Sequence, residues 1–201
     1  MSAASASDLD PSYASPSFVG SSLWLVPDDD DGRLASGRLF HDASGVRFDP
    51  HVTLIAGLRG EHADVVARVE ELATRMGAAP LPLRVDGVGA KDLYFQCVYG
   101  TIAPAPALLA ANAAAREVFG RMGDAPFMPH MSAVYGLLDG AAKAPLLERV
   151  RAELVGAKLL CSRISVWATQ GTVPEWYPIA VVSLVGEPTR WVAQPPGGGG
   201  S

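Results

Sequence analysis

The sequence predicts a single α+β domain built from two related halves. Strand-like and helix-like apolar patterns alternate along the chain, and a ten-residue pattern around His51 returns around His130. Of the 201 residues, 49% are hydrophobic and 18% are charged, so the chain can bury a sizeable core and is not disordered. The expected order of elements is roughly βαβαββ in the first half and αβαββ in the second.

Each element is assigned from the period of its apolar residues and from the residues that end it. Pro27 ends the first strand, and Gly77 and Gly123 end two of the helices. The two strands on either side of residues 90–92 should form a hairpin. The predicted strands are 18–26, 51–58, 81–88, 93–102, 129–136, 159–169 and 177–185, and the predicted helices are 34–41, 63–76, 105–122 and 141–155.

The two ends of the chain differ in composition from the middle. Residues 1–16 are rich in Ser and Ala and are expected to form a disordered tail, and residues 191–201 end in a Gly-rich run that is typical of a flexible linker or tail. The folded domain is therefore predicted at 17–190. No basic and apolar leader precedes it, and no apolar run is long enough to span a bilayer, so we expect a soluble, cytoplasmic protein.

Net charge and cysteine content argue against duplex nucleic-acid binding and against a fold held by disulfides or zinc. The chain has 16 Lys and Arg against 21 Asp and Glu, a net charge of −5, which disfavours non-specific binding to duplex nucleic acid. A small anionic ligand is compatible with this charge. Cys97 and Cys161 are too few for a disulfide framework or a zinc site, and we expect two buried thiols, although a single bridge between them stays open.

Residues 48–57 and 127–136 share four features at the same spacing. Each has Phe three residues before a His, Pro directly before it, a hydroxyl residue two after it and Gly six after it. In a strand, the His and the hydroxyl two residues later project from the same face. Two such strands side by side would form a pocket with the imidazoles of His51 and His130 and the hydroxyls of Thr53 and Ser132.

These four groups suit a phosphodiester ligand. The hydroxyls can donate to the non-bridging oxygens, and the imidazoles can exchange protons with the attacking and leaving oxygens. An ordinary pKa near 6.5 allows one imidazole to be neutral and the other charged near neutral pH. Two alternatives stay open at this point: histidines that only pack, and a metal site, for which Asp49 is the only acid beside either motif.

The paired motifs His51-Val52-Thr53 and His130-Met131-Ser132 resemble those of the 2H phosphoesterase superfamily. More narrowly, residues 22–27, 48–57, 94–99 and 129–136 look like segments of the cyclic phosphodiesterases of plants and yeasts. The resemblance implies a bilobal fold, with two pseudo-symmetric lobes of antiparallel sheet and helices on the outer faces. We expect the protein to be a monomer.

The same resemblance implies a reaction. Small cyclic phosphates would be hydrolysed without metal or other cofactor, in tRNA-splicing metabolism. Nucleoside 2′,3′-cyclic phosphates would give 2′-phosphates, and ADP-ribose 1″,2″-cyclic phosphate would give ADP-ribose 1″-phosphate. The site residues carried over are the catalytic His51 and His130 and the substrate-binding Thr53, Ser132, Tyr135 and Trp24.

Individual roles are hypotheses at this point. His130, helped by Tyr135, would activate water, and His51 would protonate the leaving oxygen; the reverse assignment is almost as well supported. A regular strand gives Tyr135 the opposite parity from His130, so its presence in the site requires a twist or strand end near Gly136. Trp24 is expected to stack on a base or ribose.

Two other functions compete with this prediction. One is a 2H enzyme that acts on RNA ends or 2′,5′-linked oligonucleotides, which would need a basic groove that the net charge of −5 disfavours. The other is a nucleotide-binding module without turnover, which the two intact motifs disfavour.

Overall fold

The computed structural model describes residues 17–28, 39–42, 45–77 and 79–192, which form an α+β domain. This fold class was expected from the sequence and is confirmed. Two short 3-10 helices, Tyr94–Gln96 and Val173–Glu175, lie in connections between strands. The strands are β1 (Ser21–Leu25), β2 (His41–Asp42), β3 (Val52–Leu58), β4 (Leu81–Ala90), β5 (Val98–Ile102), β6 (His130–Tyr135), β7 (Lys158–Cys161), β8 (Arg163–Ala168), β9 (Tyr177–Ser183) and β10 (Arg190–Trp191). The helices are α1 (His62–Met76), α2 (Pro106–Val118) and α3 (Gly140–Leu154).

The described strands form one mostly antiparallel sheet in the order β10-β9-β8-β1-β3-β6-β5-β4-β7, and β2 runs parallel to β6. The two strands at its centre, β3 and β6, carry the repeated motifs. They are antiparallel neighbours, with Val52 opposite Met131. On one side of this pair lie β1 and the hairpin β8–β9, and on the other lies the hairpin β4–β5, so each half of the sheet supports one motif.

The helices pack on the sheet and share one core with the apolar residues of the motif strands. Helix α1 contacts β8 and β9, α2 contacts β3, and α3 contacts β4 and β5. Val52 and Met131 are fully buried in the same core as residues of all three helices. Because side chains alternate along a strand, the polar residues of both motifs face the opposite side of the sheet.

A β-bulge interrupts each motif strand three residues after its histidine. In β3, Leu54 is the extra residue between the pairs Trp24–Thr53 and Leu23–Ile55. The bulged residue leaves its carbonyl outside the ladder, and the buried side chain of Asn112 on α2 donates its Nδ2 proton to that oxygen at 2.7 Å. Helix α2 therefore stabilises the bulge of the first motif.

The bulge in β6 is at the corresponding position. Ala133 is the extra residue between the pairs Tyr99–Ser132 and Val98–Val134. Its carbonyl accepts a 2.7 Å hydrogen bond from the main-chain N–H of residue 40, just before β2. An extra residue reverses the alternation of side chains beyond it. Because of the bulge and the strand end, the side chain of Tyr135 projects from the same face of the sheet as the motif histidines.

Three predicted elements differ from the structure. The strand predicted at 93–102 begins at 98, because residues 94–96 form a 3-10 helix. The strand predicted at 159–169 is divided at Ser162, because β7 pairs with β4 at one edge of the sheet whereas β8 pairs with β1 and β9. The helix predicted at 105–122 ends at Val118, shortly before Gly120, which has a positive φ of 64°.

Several predictions fall at or beyond the limits of the described residues. Most of the helix predicted at 34–41 lies outside them, and its last residue, His41, begins β2 instead. The tail predicted at 1–16 also lies outside them. The tail predicted at 191–201 starts too early, because Trp191 pairs with Ala180 in the sheet; residues 193–201 lie outside the described part.

Both cysteines are free thiols in the core, with no exposed surface. The expectation of two buried thiols is therefore confirmed. No helix in the described part of the chain is long and apolar enough to cross a membrane.

We predict that Asn112→Leu destabilises the protein by about 1–3 kcal/mol, because the substitution leaves the buried Leu54 carbonyl without its donor. Urea denaturation measures the change. Leu109→Ala on the exposed face of the same helix is the control, and its effect should be about 0.5 kcal/mol or less. Equal effects of the two substitutions would contradict a role for Asn112 in holding the bulge.

Candidate active site

The pairing of β3 with β6 brings the two motifs together on one face of the sheet. The register that sets Val52 opposite Met131 places His51 next to Ser132 and Thr53 next to His130. His51 is 4% exposed, whereas His130 is half-buried. The structure thus brings together the two imidazoles and two hydroxyls that the repeat predicted.

Both imidazoles are held by the main chain in the same way. Nδ1 of His51 lies 2.6 Å from the carbonyl oxygen of Asp49, and Nδ1 of His130 lies 2.8 Å from that of Met128. A carbonyl only accepts, so Nδ1 carries the proton in both rings. Nε2 of each neutral ring is then free to accept a proton, and each charged ring can donate one from Nε2.

The proline in each motif helps to fix this contact. Pro50 and Pro129 restrict the residue before them to extended conformations. That residue supplies the carbonyl to which Nδ1 donates. Asp49 thus contributes its main-chain oxygen to His51.

Burial makes both histidines weak bases in the free protein. It lowers the pKa of His51 from 6.5 to about 4, against the opposing effect of the Asp49 carbonyl, and the nearby His130 lowers it further. Burial also lowers the pKa of His130; the Met128 carbonyl opposes this, and the Lys91 ammonium adds to it. Both rings are therefore neutral at pH 7. A bound phosphate anion would raise both pKa values.

Trp24 packs against His51 and has no face available for a substrate. Its indole stacks on the His51 ring with a centroid distance of 3.7 Å and an interplanar angle of 8°. It also stacks on Trp167, with a centroid distance of 4.4 Å. Trp24 is only 2% exposed. The expectation that Trp24 stacks on a base or ribose was therefore wrong. It required an exposed indole, whereas packing between neighbouring strands buries this one.

Tyr135 lies in the site, as expected, because of the bulge and strand end described above. Its hydroxyl oxygen is 3.4 Å from Nε2 of His51, and its ring stacks on Phe48 at 4.0 Å. Burial and the nearby Tyr94 raise the pKa of Tyr135, so the hydroxyl keeps its proton and can donate it to Nε2. The sequence-based hypothesis paired Tyr135 with His130, whereas its hydroxyl contacts His51.

The two motif hydroxyls have different surroundings. Ser132 donates a 2.8 Å hydrogen bond to the Phe95 carbonyl, so its proton must turn away from that oxygen before it can serve a ligand. Thr53 is half-buried and lies opposite Trp24 of β1. The hydroxyl oxygens lie on the histidine face, where they suit the oxygens of a tetrahedral anion.

Three aromatic residues, Phe18, Phe95 and Trp176, form an aromatic bridge beside His51. Phe95 comes from the β4–β5 connection and Trp176 from the β8–β9 connection, and their rings stack at 5.6 Å. Phe18 meets both rings edge-on. Tyr135 contacts the bridge, with ring centroids 5.3 Å from Phe95 and 6.3 Å from Trp176. Trp176 also lies 6.0 Å from Trp24, so the bridge contacts two aromatic neighbours of His51. The sequence could not predict the bridge, because it joins residues from separate hairpins.

The described residues include no group of three His, Cys, Asp or Glu side chains close enough together to hold a metal ion.

Comparison with known proteins agrees with this site. The model of the 2′-5′ RNA ligase superfamily matches residues 26–172. The chain belongs to this superfamily. The resemblance to 2H phosphoesterases seen in the two motifs is thereby confirmed. The cyclic phosphodiesterase of Arabidopsis thaliana is 27% identical over 172 residues, which cover 81% of this chain and 94% of the relative.

Solved structures of other proteins share the fold of this chain. Escherichia coli LigT complexed with NADP+ has a TM-score of 0.54 and 17% identity, covering 84% of this chain and 99% of LigT. LigT complexed with 3′-AMP has a TM-score of 0.52 and 15% identity, with coverage of 84% and 98%. TT0787 of Thermus thermophilus has a TM-score of 0.52 and 18% identity, with coverage of 84% and 100%. At these identities the likeness establishes the fold.

The low pKa of His51 predicts a loss of stability in acid. Between pH 6.5 and about 4 the unfolded chain binds a proton at this residue that the folded protein excludes, so the free energy of unfolding falls as the pH falls. At about 1.4 kcal/mol per pKa unit, this residue accounts for about 3 kcal/mol of that loss.

Urea denaturation of the wild type and of His51→Gln at several pH values between 7 and 4 checks this prediction. The wild type should lose more stability than the variant over this range, because Gln does not titrate. Parallel losses in the two proteins would contradict the burial of a neutral His51.

Proposed function

We propose that this protein is a cyclic phosphodiesterase that hydrolyses small cyclic phosphates. Its substrates would be nucleoside 2′,3′-cyclic phosphates, opened to 2′-phosphates, and ADP-ribose 1″,2″-cyclic phosphate, opened to ADP-ribose 1″-phosphate. The observation that carries the proposal is the pair of imidazoles on adjacent strands, each with Nδ1 bound to a carbonyl, so that Nε2 is the atom that can exchange a proton. The relative named cyclic phosphodiesterase supports it.

In the proposed reaction, water attacks phosphorus in line with the bond to the leaving sugar oxygen. Nε2 of His130 accepts a proton from the water as the new P–O bond forms, and Nε2 of His51 donates a proton to the sugar oxygen as its bond to phosphorus breaks. The half-buried His130 suits the side from which water arrives. The more deeply buried His51 suits the side of the bound sugar.

His51 must be charged before it can act as the acid. The phosphate anion raises its pKa on binding, and the face of the Trp24 indole stabilises an imidazolium stacked on it. The hydroxyls of Thr53, Ser132 and Tyr135 would donate to the phosphate oxygens, where negative charge grows in the transition state. Acid catalysis is thus coupled to the arrival of an anion.

Two features favour a small substrate. The net charge of −5 offers no attraction to a long polyanion, and the aromatic bridge packs against Tyr135 and Trp24, two aromatic neighbours of His51. The structural neighbour LigT has been solved with 3′-AMP and with NADP+, both small nucleotides.

The name of the matching family gives a second candidate, action on RNA ends or 2′,5′-linked oligonucleotides. A comparison of a mononucleotide 2′,3′-cyclic phosphate with an oligonucleotide that carries the same cyclic end separates the two. We expect a higher kcat/KM for the mononucleotide. A clear preference for the oligonucleotide would favour the second candidate.

Phosphorus NMR of a nucleoside 2′,3′-cyclic phosphate incubated with the protein and EDTA tests the proposed function. The cyclic resonance should be replaced by that of the 2′-phosphate, since the proposed reaction uses no metal. An unchanged cyclic resonance would overturn the activity. A 3′-phosphate product would overturn the regiochemistry, and activity restored only by Zn²⁺ or Mg²⁺ would overturn the metal-free mechanism.

Substitution of either histidine by Ala should lower turnover by about 10²–10⁴-fold without loss of the fold, because each variant lacks one proton-transfer group. Circular dichroism checks the fold. Catechol cyclic phosphate, whose phenolic oxygen leaves without protonation, distinguishes the two roles. His51→Ala should recover much of its activity on this substrate and His130→Ala should not; the opposite result would reverse the assignment.

The lowered pKa values also predict the pH dependence of kcat/KM, which reports groups in the free enzyme. The rate requires one histidine neutral and the other charged, which gives a bell-shaped profile. Because burial lowers the pKa of both from 6.5, the maximum should lie below pH 6.5. A maximum above pH 7 would contradict this electrostatic description.

A further inference from the structure

Each histidine of the site has an aromatic neighbour at the same place in the adjoining strand. Trp24 of β1 lies opposite Thr53, and Tyr99 of β5 lies opposite Ser132, so each aromatic residue faces the hydroxyl two residues after a histidine. The bulges described above lie next to both pairs. The two halves of the sheet therefore supply equivalent aromatic positions.

The two contacts differ in geometry. Trp24 lies parallel to the His51 ring, with a centroid distance of 3.7 Å and an angle of 8°. Tyr99 meets His130 edge-on, at 5.2 Å and 67°. A parallel stack restricts the tilt of the imidazole, whereas an edge contact leaves the ring more freedom.

Trp24 is itself fixed by its surroundings. Its indole lies between His51 and Trp167, and Trp167 donates its Nε1 proton to Ser165 Oγ at 2.8 Å. Ser165 stands opposite Trp24 in the neighbouring strand β8. With 2% exposure, the indole cannot rotate toward solvent without disturbing the packing between three strands.

We propose that Trp24 is a positioning residue that fixes the plane of the His51 imidazole, and that it does not bind the base of the substrate. This inference rests on the proposed function. The hydrogen bond from Nδ1 to the Asp49 carbonyl holds one edge of the ring but allows it to tilt. The stack on Trp24 removes that tilt, so Nε2 points in one direction.

The direction in which Nε2 of His51 points matters, because this atom is proposed to protonate the leaving oxygen. The acid must meet an oxygen whose place is set by the bound cyclic phosphate, and a displacement of about 1 Å can lower a rate by about 10²-fold. The effect does not depend on whether the substrate carries a base. Loss of the indole should therefore lower kcat equally on substrates with and without a base.

The experiment compares a nucleoside 2′,3′-cyclic phosphate with methyl riboside 2,3-cyclic phosphate, which keeps the sugar and the ring but lacks the base. Trp24→Leu should lower kcat by about 10–100-fold on both substrates with little change in KM. Trp24→Phe keeps a flat ring and should restore most of the activity. Trp191→Leu, at an exposed tryptophan of β10, is the control and should match the wild type.

Trp24→Met fills the space without a flat ring and is the substitute if Trp24→Leu does not fold. An increase in KM confined to the nucleoside substrate would overturn the proposal and make Trp24 part of a base site. A folded Leu or Met variant with wild-type kcat would overturn it as well. A wild-type protein that hydrolyses neither substrate would instead refute the proposed function itself, and with it this inference.

Discussion

The pairing of β3 with β6 is the interaction on which the candidate site depends. Each strand alone presents one imidazole and one hydroxyl, and only their adjacency, with Val52 opposite Met131, makes a four-group site. Burial of those two apolar residues beneath the helices sets which face each strand presents. A slip of one residue in either strand would turn the histidine of that strand into the core, so hydrophobic packing on one side of the sheet fixes the polar chemistry on the other.

The two motifs are alike in their strands and unlike in what supports them. Both have a bulge three residues after the histidine and a hydrogen bond from Nδ1 to the carbonyl two residues before it. The bulge carbonyl of Leu54 is satisfied by the Asn112 side chain, whereas that of Ala133 is satisfied by the main chain. The sheet therefore repeats the geometry of the site, while the surrounding elements differ.

The features that could be predicted from the sequence are those set by the order of residues within a single strand or helix. The period of apolar residues located the strands, and the spacing of His51 and Thr53 predicted a shared polar face, because both depend on alternation within one strand. Trp24 was misplaced because its burial depends on packing with Trp167 of β8, a residue far away in the chain. The division of the strand predicted at 159–169 likewise depends on distant pairing partners, which no local period records.

A repeated motif poses a chemical difficulty, since an acid and a base cannot have identical surroundings and opposite roles. The difference must come from residues outside the motifs. His51 is enclosed by the parallel indole of Trp24 and by the Tyr135 hydroxyl, whereas His130 has an edge contact with Tyr99 and the Lys91 ammonium nearby. Both rings are neutral at rest because burial penalises their charge. In the proposed reaction, a phosphate anion that binds between the rings would offset that penalty, so protonation of the site would accompany substrate binding.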